Sequence, residues 1–229
     1  MYDAAVPMDA PLRPALFKFL RDLRRHNDRE WFAANRERYE DDVRGPLLRL
    51  IVDLGPRLHK VSRTILADPR PVGGSLFRIH RDTRFARDKS PYKTHAACHF
   101  RHEDTIDDVH GPGLYLHLEP GSVFVAGGMW RPDAASLARI RDAIVASPPR
   151  WKKAIAGLEL DGDALKRPPR GYDPQHPLVD DLRRTDFITS VELDERRACA
   201  PRFIDDIDAA SRRMAPLMGF LATAVGLPW

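Results

Sequence analysis

The sequence predicts an α+β fold, a mainly antiparallel sheet flanked by N-terminal and C-terminal helices. Three observations carry this. Apolar residues recur at helical spacing over 12–26 and again over 201–221, near the two ends of the chain. Between them the period falls to two, over 114–119 and 187–193. The first of these runs meets Pro120-Gly121 and a return run at 122–126, which is a hairpin and not a βαβ crossover. A chain of 229 residues is expected to form one domain, with a helical part at 11–66 and a sheet-containing body at 72–229.

The elements follow in order. Leu12, Leu16, Phe19, Leu20 and Leu23 line one helix face. Asp28 then stands as an N-cap with Glu30 in the first turn, where a carboxylate suits the helix dipole. Trp31, Phe32 and Tyr39 on the second helix read as core anchors. Gly45-Pro46 marks a break or restart, and Pro56 a kink or second restart, in the helix carrying Leu47, Leu50, Ile51 and Leu54. After a turn-rich connector at 68–74, alternation over 76–81 fits a short strand, and 94–101 a second, poorly patterned one. An acidic loop follows at 102–113 and is expected to lie against the basic stretch before it. The hairpin ends in Gly127-Gly128, where glycine signals a bulge or a close approach by backbone or ligand. A helix starts at Pro132-Asp133, a proline-rich segment at 165–177 lies over the surface, and one or two helical turns over 178–184 precede the last strand. The closing helix carries a possible kink site at Pro216.

Charge is distributed unevenly. Residues 57–101 hold eleven Lys/Arg against three Asp, a local balance of +8, while the whole chain is only +4. The remainder is therefore net acidic, and a field of this kind attracts anions locally. The densest part, 78–93, reads RIHRDTRFARDKSPYK. Pro91 and the β-type residues Ile79, Thr83 and Phe85 favour strand followed by loop, so only some of the cations can converge. Arg suits bidentate recognition of phosphate or carboxylate. The expected ligand-binding set is Arg78, Arg81, Arg84, Lys89, Tyr92 and Lys93, with Gly127, Gly128 and Trp130 as the opposite wall. Asp82 and Asp88 are expected to orient guanidinium groups, with acid/base catalysis the weaker role.

The pattern R-x-x-R-D-x-R-F-x-x-D-K-x-x-Y, carried by Arg78, Arg81, Asp82, Arg84, Phe85, Asp88, Lys89 and Tyr92, resembles the signature of an uncharacterised bacterial family. That family is a domain of unknown function that also occurs as a region of longer fungal proteins. Trp31-Phe32 with Asn35 and Tyr39, the segment 127–132, and the segments 167–172 and 176–177 resemble its other motifs, so the resemblance covers nearly the whole chain. It implies no particular activity.

Other chemistries find less support. No HExxH or CxxC occurs. His95 and His99 would share a strand face while His102 points away, and no metal site or cofactor is assigned. There is no GxSxG elbow, P-loop or GxGxxG, and Cys98 and Cys199 form no disulfide framework. The partner expected is a phosphorylated or carboxylated small molecule. Nucleic acid, stacking on Phe85, Tyr92 and Phe100, is a rival but not favoured, and the third reading is a structural or protein-interaction domain with internally paired charges. No run approaches the roughly 18 apolar residues of a membrane span, and residues 1–10 lack leader features, so a cytoplasmic protein is expected.

Overall fold

The computed structural model describes residues 10–229; residues 1–9, most of the stretch read above for a leader, lie outside the described residues. Helix α1 (Pro14–Arg25) buries Leu16, Phe17, Phe19, Leu20 and Leu23. Helix α2 (Arg29–Ala34) starts at Asp28, whose side chain accepts the Trp31 N–H at 2.8 Å and so satisfies one of the free donors of the first turn. Phe19 lies at the centre of an aromatic group, with ring centroids of Trp31, Phe32 and Tyr39 at 5.7, 6.4 and 5.8 Å.

Two expected interruptions do not occur. Helix α3 (Arg36–Tyr39) passes through a wide turn at Glu40–Arg44 straight into α4 (Gly45–Val61), and the Gly45 N–H bonds back to the Glu40 carbonyl. The extra residue in that turn makes room for the Pro46 ring. Pro56 neither breaks nor restarts α4. The carbonyl it leaves without a donor belongs to Val52, which is exposed, so water can satisfy it. After the short helix α8 (Glu195–Ala198), the closing helix α9 (Phe203–Val225) runs through exposed Pro216 in the same way, with exposed Arg212 four residues before it.

The sheet is a meander in the order β1 (Ala96–Arg101), β2 (Gly113–Glu119), β3 (Ser122–Met129), β4 (Phe187–Leu193), antiparallel throughout. Gly121 adopts φ 86° in the turn between β2 and β3. The expected strand over 76–81 is only partly formed. Leu76 bridges Cys98 on the free edge of β1, after which the chain turns away and His80 bridges Tyr92 on its own return. Changing partner after so few residues prevents a continuous ladder, although the segment still covers the β1 edge. Residues 161 and 164 cover the β4 edge similarly, by bridges to Ile188 and Arg184.

One sheet face is dry. Cys98, Phe100, Leu114, Leu116, Leu118, Val123 and Val125 pack there against α1, α4 and α9. A second apolar cluster lies beyond the end of β3, where α5 (Ala134–Ala146), α6 (Pro148–Ala154) and α7 (Val179–Arg183) meet α9 around Trp151 and Phe187. Arg141, on the inner side of α5, is buried and donates to the Leu182 and Arg184 carbonyls at 2.8 and 3.0 Å, satisfying the end of α7. The proline-rich segment crosses the outside of this cluster, held by the Tyr172 hydroxyl to Asp142 at 2.8 Å. Among the described residues, no helix is long and apolar enough to cross a membrane.

Candidate functional site

The other sheet face carries polar and aromatic side chains. The register sets them in rows: His99, Tyr115, Ala126 and Ser190 in one, Ala97, His117, Phe124 and Glu192 in the next. Over this face lies a cleft of about 610 Å³. Tyr115, Phe124, Ala126 and Gly128 form its floor, Phe77, Lys93, His95 and His99 one side, and Val109, Trp130 and Ile188 the other. The acidic loop closes one end. It does not pair with the 78–93 stretch, whose ion pairs are internal; instead the His110 ring bonds the Trp130 carbonyl at 2.9 Å and stacks on the indole at 5.7 Å. Trp130 is about half exposed at the mouth, and Arg131 beside it has φ 50°, fixed by an N–H bond to the buried carboxylate of Asp186 at 2.7 Å.

Burial sets the electrostatics of the cleft. Desolvation pushes His95 and His99 down to about 4, helped by His117 beside the first and Arg101 beside the second. Desolvation raises the Tyr115 phenol to about 12. Lys93 is lowered by burial and then by the nearby Arg78 guanidinium. The rings are therefore neutral at pH 7, and Lys93 is a partly desolvated cation 5.1 Å from the Phe77 ring centroid.

The residues singled out in the sequence fall into four places. Lys93, Gly127, Gly128 and Trp130 line the cleft together. Arg81, Arg84 and Lys89 belong to the largely exposed loop over 81–90. Arg81 reaches Asp88 and Ser90, Arg84 meets Asp82 at 2.6 Å, and Lys89 Nζ donates to the Thr83 carbonyl at 2.9 Å. The Arg84 hydrogen bond holds Asp82 at about 2, and the Ser90 N–H followed by Arg81 holds Asp88 at about 2, so neither has a proton to give at neutral pH. Arg78 is exposed and takes part in neither ion pair. Tyr92 is in the core: it is buried, stacks on Phe32 at 4.1 Å, and has its backbone N–H and C=O gripped by the Asn27 amide at 3.0 and 2.9 Å. It ties the end of the arginine loop to the N-terminal helices.

The two glycines of β3 differ in what they allow. A Cβ on Gly127 would press on Met214 of α9 at 2.9 Å. One on Gly128, at φ 132°, would run into the Phe187 carbonyl of β4. The close approach expected at this strand end is thus made by the protein's own backbone.

The family described as "Conserved hypothetical protein (DUF2461)" matches residues 15–220. The chain belongs to this family. No curated protein and no solved structure matches it. The span that matches DUF2461 contains the cleft, the arginine loop and all four strands.

One group in this DUF2461 chain was not found from sequence. His95, His117 and Glu119 bring one ligand atom each to within 4.8 Å of one another. The signal was available in the register, because pairing Ala96 with Leu118 sets His95 opposite Glu119 and leaves His117 on the same face. Of the two histidines singled out beside His95, His99 lines the same cleft but is not part of this group, and His102 is buried with Nε2 at 2.7 Å from the Pro228 carbonyl.

Proposed function

We propose that the cleft on the open sheet face binds a small organic anion. A flat apolar body lies along Tyr115 and Phe124, and its carboxylate or phosphate meets Lys93, with Arg78 adding positive potential from outside. The observation that carries this is Lys93, a partly buried ammonium at the side of a largely apolar cleft that forms no ion pair with any carboxylate among the described residues. A desolvated charge without a counter-ion is costly, and a ligand anion relieves that cost. Arg81 and Arg84 are not available to such a ligand in the same way, being held by Asp88 and Asp82.

Thermal melting against a panel of aryl carboxylates and aryl phosphates tests the reading, since a ligand specific to the folded state raises the midpoint. The expected result is a concentration-dependent rise with at least one class. Lys93→Met should weaken that ligand about 10–100-fold, the loss of one charge-assisted hydrogen bond. The anion needs the protonated ammonium, so affinity should fall as pH rises through the lowered pKa of Lys93, earlier than an ordinary lysine would give. No shift with any compound, or an unchanged Lys93→Met, defeats the proposal.

A second reading rests on Phe85, which is 96% exposed at the loop tip with the Arg84 guanidinium 6.0 Å from its ring. An exposed aromatic among cations suits base stacking on single-stranded nucleic acid. Oligonucleotide binding that weakens steeply with salt and is lost in Phe85→Ala would support it; no binding at low salt removes it.

A further inference from the structure

We propose that His95, His117 and Glu119 form a binding site for one divalent transition-metal ion at the end of the cleft. Two imidazoles and one carboxylate suit ions of borderline softness, zinc or ferrous iron, rather than magnesium or calcium, which favour all-oxygen shells. The site stands on its own geometry and does not depend on the anion reading.

His117 Nε2 lies 3.4 Å from Glu119 Oε2. A charge-assisted hydrogen bond would close to about 2.7–2.9 Å. Two ligands on a tetrahedral ion with bonds of about 2.1 Å sit roughly 3.4 Å apart, so the pair is spaced for an ion better than for a shared proton. Both groups are also held from behind. The Tyr115 hydroxyl lies 3.1 Å from His117 Nδ1, the Thr94 hydroxyl donates to Glu119 Oε1 at 3.1 Å, and Phe124 stacks under the His117 ring at 4.7 Å. Hydrogen bonds on the far side of each ligand are what orient a metal shell. His95, just before β1, has its ring 4.7 Å from that of His117, and a swing of at most about 1.4 Å brings its nitrogen to tetrahedral spacing. Its neighbours Lys93 and Arg81 oppose a cation, while Glu119 and Glu192 favour one. His95 also lines the cleft, so a coordination position left open by three protein ligands faces the space where a small molecule would lie.

Cobalt(II) titration of the full chain, followed by visible absorption, is the test. A low-symmetry band saturating at one ion per chain and displaced by zinc is expected. His95→Ala and His117→Ala should weaken binding by more than the about 10–100-fold typical of an outer-shell change, and Thr94→Ala should fall within that range. Glu119→Gln keeps the side-chain shape and should lose the band while remaining folded. His59→Ala, on the exposed face of α4, should bind as wild type. The proposal fails if folded protein gives no one-to-one band, or if His95→Ala and Glu119→Gln bind cobalt as tightly as wild type.

Discussion

Gly128→Ala lowers stability by about 3–5 kcal/mol, because it combines backbone strain with a clash that the sheet cannot relieve locally. At φ 132° an L-residue is strained whatever space surrounds it, and the new methyl would fall on the Phe187 carbonyl and close to Ile188 Cα at 3.0 Å. Both obstacles are backbone, so no side-chain rotation clears them. Relief requires the end of β4 to move away from β3, breaking the pairing of Gly128 with Ile188 and of Met129 with Phe187. Gly121→Ala is the control. It also has positive φ, 86°, but nothing lies within 4 Å of its added carbon, so only the strain of about 1–2 kcal/mol applies. Urea unfolding of the two variants with equal m values separates the effects. A Gly128→Ala midpoint no lower than that of Gly121→Ala would show that the approach of β4 is not a fixed feature of the fold.

That contrast shows what the sequence could reveal. A glycine pair at a strand end announced a close approach but not whether ligand or backbone makes it, because β4 lies about sixty residues later in the chain. Elements whose cause is local were legible: the Asp28 cap, the hairpin around Gly121, and the helical stripes of α1 and α9. Pro56 was misleading for a nonlocal reason, since whether proline interrupts a helix depends on whether the carbonyl it strands can reach water. Tyr92 was misleading in the same way. Its neighbours in sequence are charged, yet its neighbours in space are Phe32 and Asn27.

The basic stretch resolves along the chain. Its middle carries two aspartates at short range, and these take Arg81 and Arg84. Such pairs, largely exposed, contribute little stability and chiefly set the shape of the loop. At its ends no ion pair forms: Arg78 stays exposed, near enough to Asp82 only to act on it through space, while Lys93 turns into the cleft. Counting charge identified the region but could not distinguish these cases, because pairing depends on which carboxylates the folded loop brings within reach.

Trp151→Ala should be the other large loss, about 3–5 kcal/mol. The indole is fully buried, edge-on to Phe187 at 5.8 Å and tilted against Phe220 at 5.1 Å, so truncation opens a cavity between α6, β4 and α9. Trp151→Phe should behave differently. The indole Nε1 is buried with no hydrogen-bond partner among the described residues, a defect that costs about 1–3 kcal/mol and that phenylalanine removes. The smaller ring gives up some packing in exchange, and the two changes should nearly cancel, leaving Trp151→Phe within about 1 kcal/mol of wild type by urea unfolding. A Phe variant as unstable as the Ala variant would mean that the nitrogen is satisfied in solution. Phe187 links this site to the cleft, since its ring packs on Trp151 and its carbonyl abuts Gly128. The Trp151→Ala and Gly128→Ala losses should therefore combine non-additively, the second costing less once β4 has already been loosened.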